Sequence, residues 1–356
     1  MPKVPTFIKP ARLQDRAEEL TSERVRFNAH RRITTGVVLD LNILNMMRRV
    51  VSDGRTLAEE NLSSLVDFLN ENSVSIVPGL ALQEADKTHE ALLERQYETF
   101  MSVHCPSYVN TPAADYDYGR HTKSRNFIEL DETQQQYLLN SYLSILATHV
   151  VKHELASRSP EDRFAAYLAL MDTQANLVSP LEAEVAKFCF FNRSELPDCA
   201  FRKSCKVIHD NFNKGGKGFG RLQYVLNAAR DLTYLRTTAM MDGVIIDGSP
   251  LENWLLTSDQ ALVELSKSIY FRPHRGHSAK YAALARNPEQ ESSAYWNYCD
   301  QLFVSTMQRR QAVLTLAQQS ADARWKGLFA CRRDLEERVL AYWPDESSVE
   351  EVILKN

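Results

Sequence analysis

The sequence predicts an α/β protein in which a parallel sheet is flanked by helices, with a large helical insertion and a helical C-terminal extension. The first observation is that the apolar runs TTGVVL, before Asp40, and VSIV, from Val74, alternate with stretches of helical spacing. This alternation is typical of parallel strands joined by right-handed crossovers. The second is that periodic, nearly glycine-free stretches fill most of the chain between Glu84 and Asp231.

Residues 34–100 are expected to form the first half of the α/β core. The apolar, β-branched run from Thr34 meets an acid at Asp40, which suits a buried parallel strand that ends there. A helical stretch, LAEENLSSLVDFLNEN, separates it from the strand VSIV. After the break at Pro78 and Gly79, the sequence restarts as a helix that carries Glu84 in its first turns.

The rest of the chain divides into three predicted parts. Residues 101–219 are expected to form a mainly helical insertion or cap, and residues 276–356 a helical C-terminal extension. Residues 220–275 are expected to complete the core. There, a helix carrying Asp231 precedes the short strands GVIID and WLLT, and SIYF is a candidate last strand.

Composition indicates an ordered protein of one large domain or two ordinary ones, since 44% of its 356 residues are hydrophobic. No run approaches the roughly 18 apolar residues of a membrane span, and the N-terminal stretch lacks the apolar core of a secretory signal. The six scattered cysteines suit free thiols in a reducing compartment. We therefore expect a soluble, cytoplasmic protein without a membrane partner.

Charge is informative only locally, because a net charge of −4 does not by itself indicate a nucleic-acid binder. Four arginines cluster between Arg24 and Arg32. A second basic cluster consists of Arg202, Lys203, Lys206, Lys214, Lys217 and Arg221. Such clusters either contact phosphates or form solvated helix faces, and the sequence leaves both interpretations open.

Four acids are the candidate catalytic and metal-binding residues: Asp40, Glu84, Asp231 and Asp259. Asp40 and Asp259 directly follow apolar strands, and the other two lie on helices expected to pack on the same sheet. Open α/β sheets place their sites at the carboxyl ends of the strands. Neighbouring carboxylates repel one another, so such a cluster is stable at neutral pH chiefly when cations neutralise it. Hard oxygen ligands favour Mg²⁺ or Mn²⁺.

The motifs VVLDLNIL, PGLALQEAD, NAARDLTYL and LLTSDQAL resemble, in their order and contexts, those of PIN-domain nucleases. The resemblance covers two blocks, about 34–100 and 220–270, and departs from small family members in the helical segment between them. It implies a PIN-like core in which the acidic quartet binds Mg²⁺ or Mn²⁺ and cleaves mainly single-stranded RNA. Asn42 and Ser258 would be the polar residues that flank the first and last acids, with Ser258 or Thr257 supporting the metal.

The expected reaction is hydrolysis of a phosphodiester bond by water. A bound divalent ion polarises a phosphate oxygen and activates water, so no side-chain nucleophile is needed. The candidate substrate-binding residues are Asn42, Ser258, Lys214, Lys217 and Arg221. The last three belong to a Gly- and Lys-rich loop that lacks the P-loop order but offers cations for a nucleic-acid backbone; simple flexibility is the alternative.

Two other functions are kept as alternatives. In a haloacid dehalogenase-like phosphatase, Asp40 would be the nucleophile, but Asn42 stands where such enzymes usually need an acid. A non-catalytic PIN-like scaffold would instead bind RNA or a protein, and the helical regions could also mediate homo-oligomer contacts. Each acid also has an ordinary structural interpretation, as a strand-end or helix-capping residue, and Asp242 and Asp247 compete with Asp231 for the third position.

Overall fold

The computed structural model describes residues 3–84, 87–108, 127–273, 280–314 and 321–345. The chain divides into two compact units. The first comprises Met1–Ser124 and Tyr234–Ala285, and the second comprises Arg125–Thr233 and Arg286–Asn356. Each unit is thus assembled from two separate stretches of chain, and one helix, α10 (Gly218–Met241), contributes residues to both.

The first unit contains a five-stranded sheet. Its strands are β1 (Thr6–Ile8), β2 (Thr34–Leu39), β3 (Ser75–Val77), β4 (Ile245–Ile246) and β5 (Ser249–Thr257). The order is β1-β5-β2-β3, with β4 also paired to β5. Strand β2 runs parallel to both β3 and β5, whereas β1 and β4 are antiparallel to β5. The predicted α/β class, with a mostly parallel sheet flanked by helices, is confirmed.

Strand β2 lies inside the sheet, between β5 and β3. Five of its six residues are buried, which is why it reads as a continuous apolar run and not as an alternating one. Val37, Leu39 and Trp254 join the core cluster of this unit. The helices of the unit are α1 (Ser22–His30), α2 (Leu41–Ser52), α3 (Ser63–Glu71), α4 (Gly79–Glu84), α5 (Lys87–His104) and α11 (Gln260–Ser268).

Several strands differ in length from their predicted runs. Strand β5 begins at Ser249, well before WLLT, and GVIID contributes only the two residues of β4. The run SIYF becomes β6 (Ile269–Pro273), which forms a separate antiparallel pair with β7 (Lys280–Leu284). Strand β1 has three residues, too few for a periodic pattern to predict it.

Within the described residues, every secondary-structure element of the second unit is a helix. Its helices are α6 (Glu132–Glu154), α7 (Pro160–Thr173), α8 (Pro180–Phe190), α9 (Ala200–Phe212), α12 (Pro288–Glu291), α13 (Ala294–Leu314) and α14 (Ala321–Tyr342), with short 3₁₀ turns at Phe127–Glu129 and Arg193–Glu195. Side-chain caps start the first two: Asp131 accepts a bond of 2.8 Å from the Gln134 N–H, and Ser159 one of 3.1 Å from the Asp162 N–H.

Helix α8 lies in the core of the second unit, and its charged side chains are buried with it. Arg286 donates to Glu184 at 2.6 and 2.9 Å and to Asp300 at 2.8 and 2.9 Å. Lys187 contacts the same two carboxylates. A buried charge is costly unless it is paired. The ion pairs of this four-residue network therefore allow the charged residues Glu184 and Lys187 of α8 to lie in the core.

No helix in the described ranges combines the length and the apolarity that crossing a bilayer requires. All six cysteines are free, and five of them are buried. This agrees with the free thiols that the scattered spacing of the cysteines predicts.

We expect Gly36→Ala to destabilise the protein by about 1–3 kcal/mol through overpacking. A Cβ on this strand residue would lie 2.6 Å from Asn253 Oδ1 and 2.8 Å from Leu251 Cδ1, both on buried residues. The matched control is Gly327→Ala in α14, where a Cβ meets nothing within 4 Å and the helix should gain up to about 1 kcal/mol. Calorimetric unfolding measures both, and a Gly36→Ala protein as stable as the parent would contradict the β2–β5 packing.

Candidate functional site

The register between β2 and β5 fixes the position of Asp40. Leu39 pairs with Leu256 in the parallel ladder, and the Asp40 N–H donates to the Leu256 carbonyl at 3.0 Å. The next residue of β5, Thr257, therefore lies beside Asp40. Its hydroxyl donates to Asp40 Oδ2 at 2.5 Å.

Asp40 is also the N-cap of α2. Its Oδ1 accepts from the Asn42 N–H at 3.1 Å, and its Oδ2 accepts from the Asn42 side-chain amide at 3.2 Å. The residue is only 2% exposed. Thr257 and Asn42 thus hold the carboxyl in one orientation at the carboxyl end of the central strand.

The environment of Asp40 disfavours its charge. Burial raises the pKa of the Asp40 carboxyl above its ordinary value, and the negative charge of Asp259 acts in the same direction. The hydrogen bonds from Thr257 and Asn42 favour the ionised form and lower the pKa, but they do not cancel the cost of burial. A cation beside Asp40 would remove part of this cost.

Asp259 is the N-cap of α11 and lies two residues after the end of β5. Its Oδ1 accepts from the Ala261 N–H at 2.7 Å and from the Leu262 N–H at 3.4 Å, so it is the helix cap. Its own N–H donates to the Thr257 hydroxyl at 2.9 Å. Thr257 therefore joins the two acids, because its hydroxyl accepts from the Asp259 backbone and donates to Asp40.

Glu84 lies in the first turns of the helical stretch that begins at Gly79, as the sequence predicted. Helix α4 covers Gly79–Glu84, and α5 is described from Lys87. The hydroxyl of Tyr234 donates to Glu84 Oε2 at 2.8 Å. Burial raises the pKa of Tyr234 well above its ordinary value, and the charges of Glu84 and Asp40 raise it further. Both carboxylates thus act on the same phenol.

Asp231 belongs to the second unit, whereas the other three acids belong to the first. It lies on α10, three residues before Tyr234, and its Oδ2 accepts from the Asn211 side-chain amide at 3.2 Å. Within the first unit, Thr257 and Tyr234 relate Asp40 to Asp259 and to Glu84. Among the described residues, no group of three or more His, Cys, Asp or Glu side chains is arranged to hold a metal ion.

The donor chemistry nevertheless fits a hard cation. The oxygens of Asp40 and Asp259 are the ligand type that Mg²⁺ and Mn²⁺ prefer. Next to them, the buried hydroxyl of Ser258 has no hydrogen-bond partner within the described part of the chain. A buried polar atom without a partner is costly, and a metal-bound water or a ligand oxygen would satisfy it. Asp40 and Asp259 are the residues that could hold the ion, with Glu84 as a third carboxylate.

Two of the predicted substrate-binding cations, Lys214 and Arg221, have partners within the second unit. Lys214 donates to Asn211 Oδ1 at 2.7 Å, and Lys217 also makes an interaction. Arg221 donates to the Gly216 carbonyl at 3.0 Å, contacts His149 Nδ1 at 3.0 Å and stacks on the Trp343 ring at 3.7 Å. The guanidinium of Arg221 therefore braces the loop against the helices, while Lys214 and Lys217 are exposed.

The competitors for the third acid have structural roles. Asp242 pairs with Lys9 and accepts from the Asn253 N–H at 2.9 Å, so it supports the middle of β5. Asp247 has a positive φ of 49° in the turn between β4 and β5. One segment of the sequence combines aromatic and basic side chains, as single-strand binders do. Its residues Tyr116, Tyr118, His121, Lys123 and Arg125 lie outside the described residues.

Sequence reasoning missed Tyr234 and gave Thr257 only a supporting position. Tyr234 lies on a helix with regular apolar spacing, where a tyrosine is indistinguishable from a core residue. Its proximity to Glu84 depends on contacts between residues 150 positions apart. Thr257 could have been selected, because it precedes Ser258 and Asp259 at the end of a strand parallel to that of Asp40.

We expect the Asp40→Asn protein to gain stability relative to the parent as the pH rises from 4 to 7 without divalent metal. Because the folded-state pKa of Asp40 lies above its unfolded value, the folded parent binds more protons in that window and loses stability with rising pH. Asparagine keeps the cap and does not titrate. Denaturant unfolding at several pH values measures this, and Asp67→Asn on the exposed face of α3 is the control. If the stability of the parent instead rises relative to that of Asp40→Asn between pH 4 and pH 7, the assigned environment of Asp40 is wrong.

The site is thus a pair of acids, Asp40 and Asp259, joined by Thr257 at the end of two parallel strands, with Glu84 and Asp40 both acting on Tyr234. Comparison of the chain with protein-family models, with curated proteins and with solved structures gave no match.

Proposed function

We propose that the protein is a metal-dependent nuclease with a PIN-like core that hydrolyses phosphodiester bonds, with single-stranded RNA as its substrate. The observation that carries the proposal is the Asp40–Thr257–Asp259 arrangement at the carboxyl end of parallel strands. It supports the proposal because two acids from distant parts of the chain meet where α/β sheets place their sites. The resemblance of the four motifs to PIN-domain nucleases adds the substrate class.

In this proposal, Asp40 and Asp259 hold Mg²⁺ or Mn²⁺, with Glu84 contributing directly or through water. The ion would supply a polarised phosphate oxygen and an activated water. Thr257 and Asn42 hold the Asp40 carboxylate in place, and Tyr234 positions Glu84. Asp231 is the fourth proposed ligand on the strength of its motif alone.

The phosphatase alternative has less support from the same residues. A phosphoaspartyl mechanism needs Asp40 as the nucleophile and a nearby acid to protonate the leaving group. The residue two positions on is Asn42, whose amide donates to Asp40 Oδ2. An amide cannot give up a proton to a leaving group, so this arrangement favours a carboxylate that holds a metal over one that attacks phosphorus.

Metal binding is tested first, independently of catalysis. We expect Mn²⁺ or Mg²⁺ to raise the unfolding temperature of the parent, because a ligand at about 100 times its Kd adds about 2.7 kcal/mol. The shift should disappear in Asp40→Asn and Asp259→Asn, in which asparagine still caps the helix, and persist in Asp67→Asn. Asp231→Asn then reports whether the fourth acid is a ligand. An equal shift in the parent and in Asp40→Asn would contradict the metal site.

Cleavage of a labelled single-stranded RNA tests the reaction itself. We expect the parent to cleave in Mn²⁺ or Mg²⁺ and not in EDTA, and Asp40→Asn or Asp259→Asn to lose about 100-fold or more of the rate. The Asp67→Asn protein should cleave like the parent. If the parent binds metal but no RNA is cut, the scaffold alternative replaces the nuclease; if Asp40→Asn cleaves as fast as the parent, the assigned site is wrong.

A further inference from the structure

Two adjoining cavities open on the surface of the second unit. One has a volume of about 500 Å³ and the other about 360 Å³. They share three lining residues, Phe191, Asn192 and His209, so they form a single continuous depression. We refer to this depression, at the junction of α6, α7, α8 and α9, as the basic groove.

Cations line both parts of the basic groove. The larger cavity is lined by Arg193, Arg202, Lys203 and Lys206, of which the last three are exposed. The smaller cavity is lined by Lys152, Arg158 and Arg163. Asp198 is the one acid among the lining residues of the two cavities. The groove therefore gathers seven cations from three helices, a loop and a 3₁₀ turn.

Most of this charge is not neutralised within the described residues. Arg193 and Lys206 pair with Asp210, at 3.1 and 2.7 Å. For the other five cations, no ion pair with a described carboxylate is present. Arg163 and Arg202 instead donate to backbone carbonyls, which hold the side chains in place without cancelling their charge.

The floor of the groove is partly dehydrated. Lys152 Nζ contacts His209 Nε2 at 2.9 Å, and His209 Nδ1 contacts Asp210 at 3.0 Å. Burial and the neighbouring Lys152 charge lower the pKa of His209 to about 4, so the imidazole is neutral at pH 7 and can accept from the ammonium. Buried Phe191 and Cys189 complete the floor. An anion that reaches Lys152 meets a weaker dielectric screen than it would on an open surface.

We propose that the basic groove binds the phosphate backbone of a nucleic acid. A row of cations across two joined cavities matches successive phosphates better than a single phosphate group. The lining phenylalanines, Phe190 and Phe191, are buried and do not offer an exposed ring for base stacking. Binding through phosphates positions a strand without reading its sequence, so the groove is a sequence-independent docking site. The proposal does not require the acidic site to be catalytic.

The test is binding of a labelled single-stranded RNA of roughly 12 nucleotides to the full chain in EDTA, measured by fluorescence anisotropy at several salt concentrations. The test variant is Arg158→Ala/Arg202→Ala/Lys203→Ala. The control, Arg324→Ala/Lys326→Ala/Arg333→Ala, removes the same charge from exposed positions of α14.

We expect the test variant to bind RNA roughly tenfold or more weakly at low salt. The slope of log K against log salt concentration should be smaller by about 2, because each phosphate contact contributes about 0.7 on single strands. The control should bind like the parent.

The proposal fails if the test variant keeps the parent's affinity and salt slope, or if the control loses as much as the test variant. Two competitors, unlabelled RNA and inorganic phosphate, are then tested for displacement of the labelled RNA. If inorganic phosphate displaces the labelled RNA as effectively as unlabelled RNA at the same phosphate concentration, the groove holds a single phosphate and not a strand. Because EDTA removes metal, RNA binding is measured here without cleavage. Binding in EDTA by a parent that does not cleave RNA in Mn²⁺ or Mg²⁺ overturns only the proposed function. Cleavage in Mn²⁺ or Mg²⁺, together with unchanged binding by the groove variant, overturns only the groove.

Discussion

The parallel pairing of β2 with β5 is the constraint on which the candidate site depends. A register that places Leu39 beside Leu256 necessarily places Asp40 beside Thr257. A slip of one residue would turn every side chain of the strand to the opposite face, and the Thr257 hydroxyl would no longer reach the Asp40 carboxylate. The tight fit of Gly36 against Asn253 and Leu251 helps to fix this register.

The buried Asp40 has two opposite effects on stability. As an N-cap it satisfies the first turn of α2, which favours folding. As a carboxyl with 2% exposure beside a second acid, it carries an electrostatic cost that an apolar or amide side chain would avoid. In the proposed metal site, a cation would offset this cost. Beside it, the buried Ser258 hydroxyl also lacks a hydrogen-bond partner among the described residues.

The second unit uses charge in two different environments. In its interior, Glu184, Lys187, Arg286 and Asp300 neutralise one another, so burial is tolerated. On its surface, the basic groove leaves five cations without a described carboxylate partner. A chain with a net charge of −4 therefore presents a concentrated positive region despite its slightly acidic composition. Local charge, and not the net value, governs contacts with polyanions.

The sequence by itself determined the α/β class, the strand that ends at Asp40 and the capping positions of Asp40 and Asp259, because these follow from local periodicity and from the preferences of helix starts. It also located Arg202, Lys203 and Lys206 as a basic cluster. Only the tertiary structure decided that Thr257 joins the two acids, that Tyr234 holds Glu84, that Asp231 belongs to the other unit, and that Lys152 and Arg158 share a groove with Arg202. Periodicity reports which face of an element is buried, but strand register and helix packing are set by contacts between residues far apart in the chain, which no local pattern encodes.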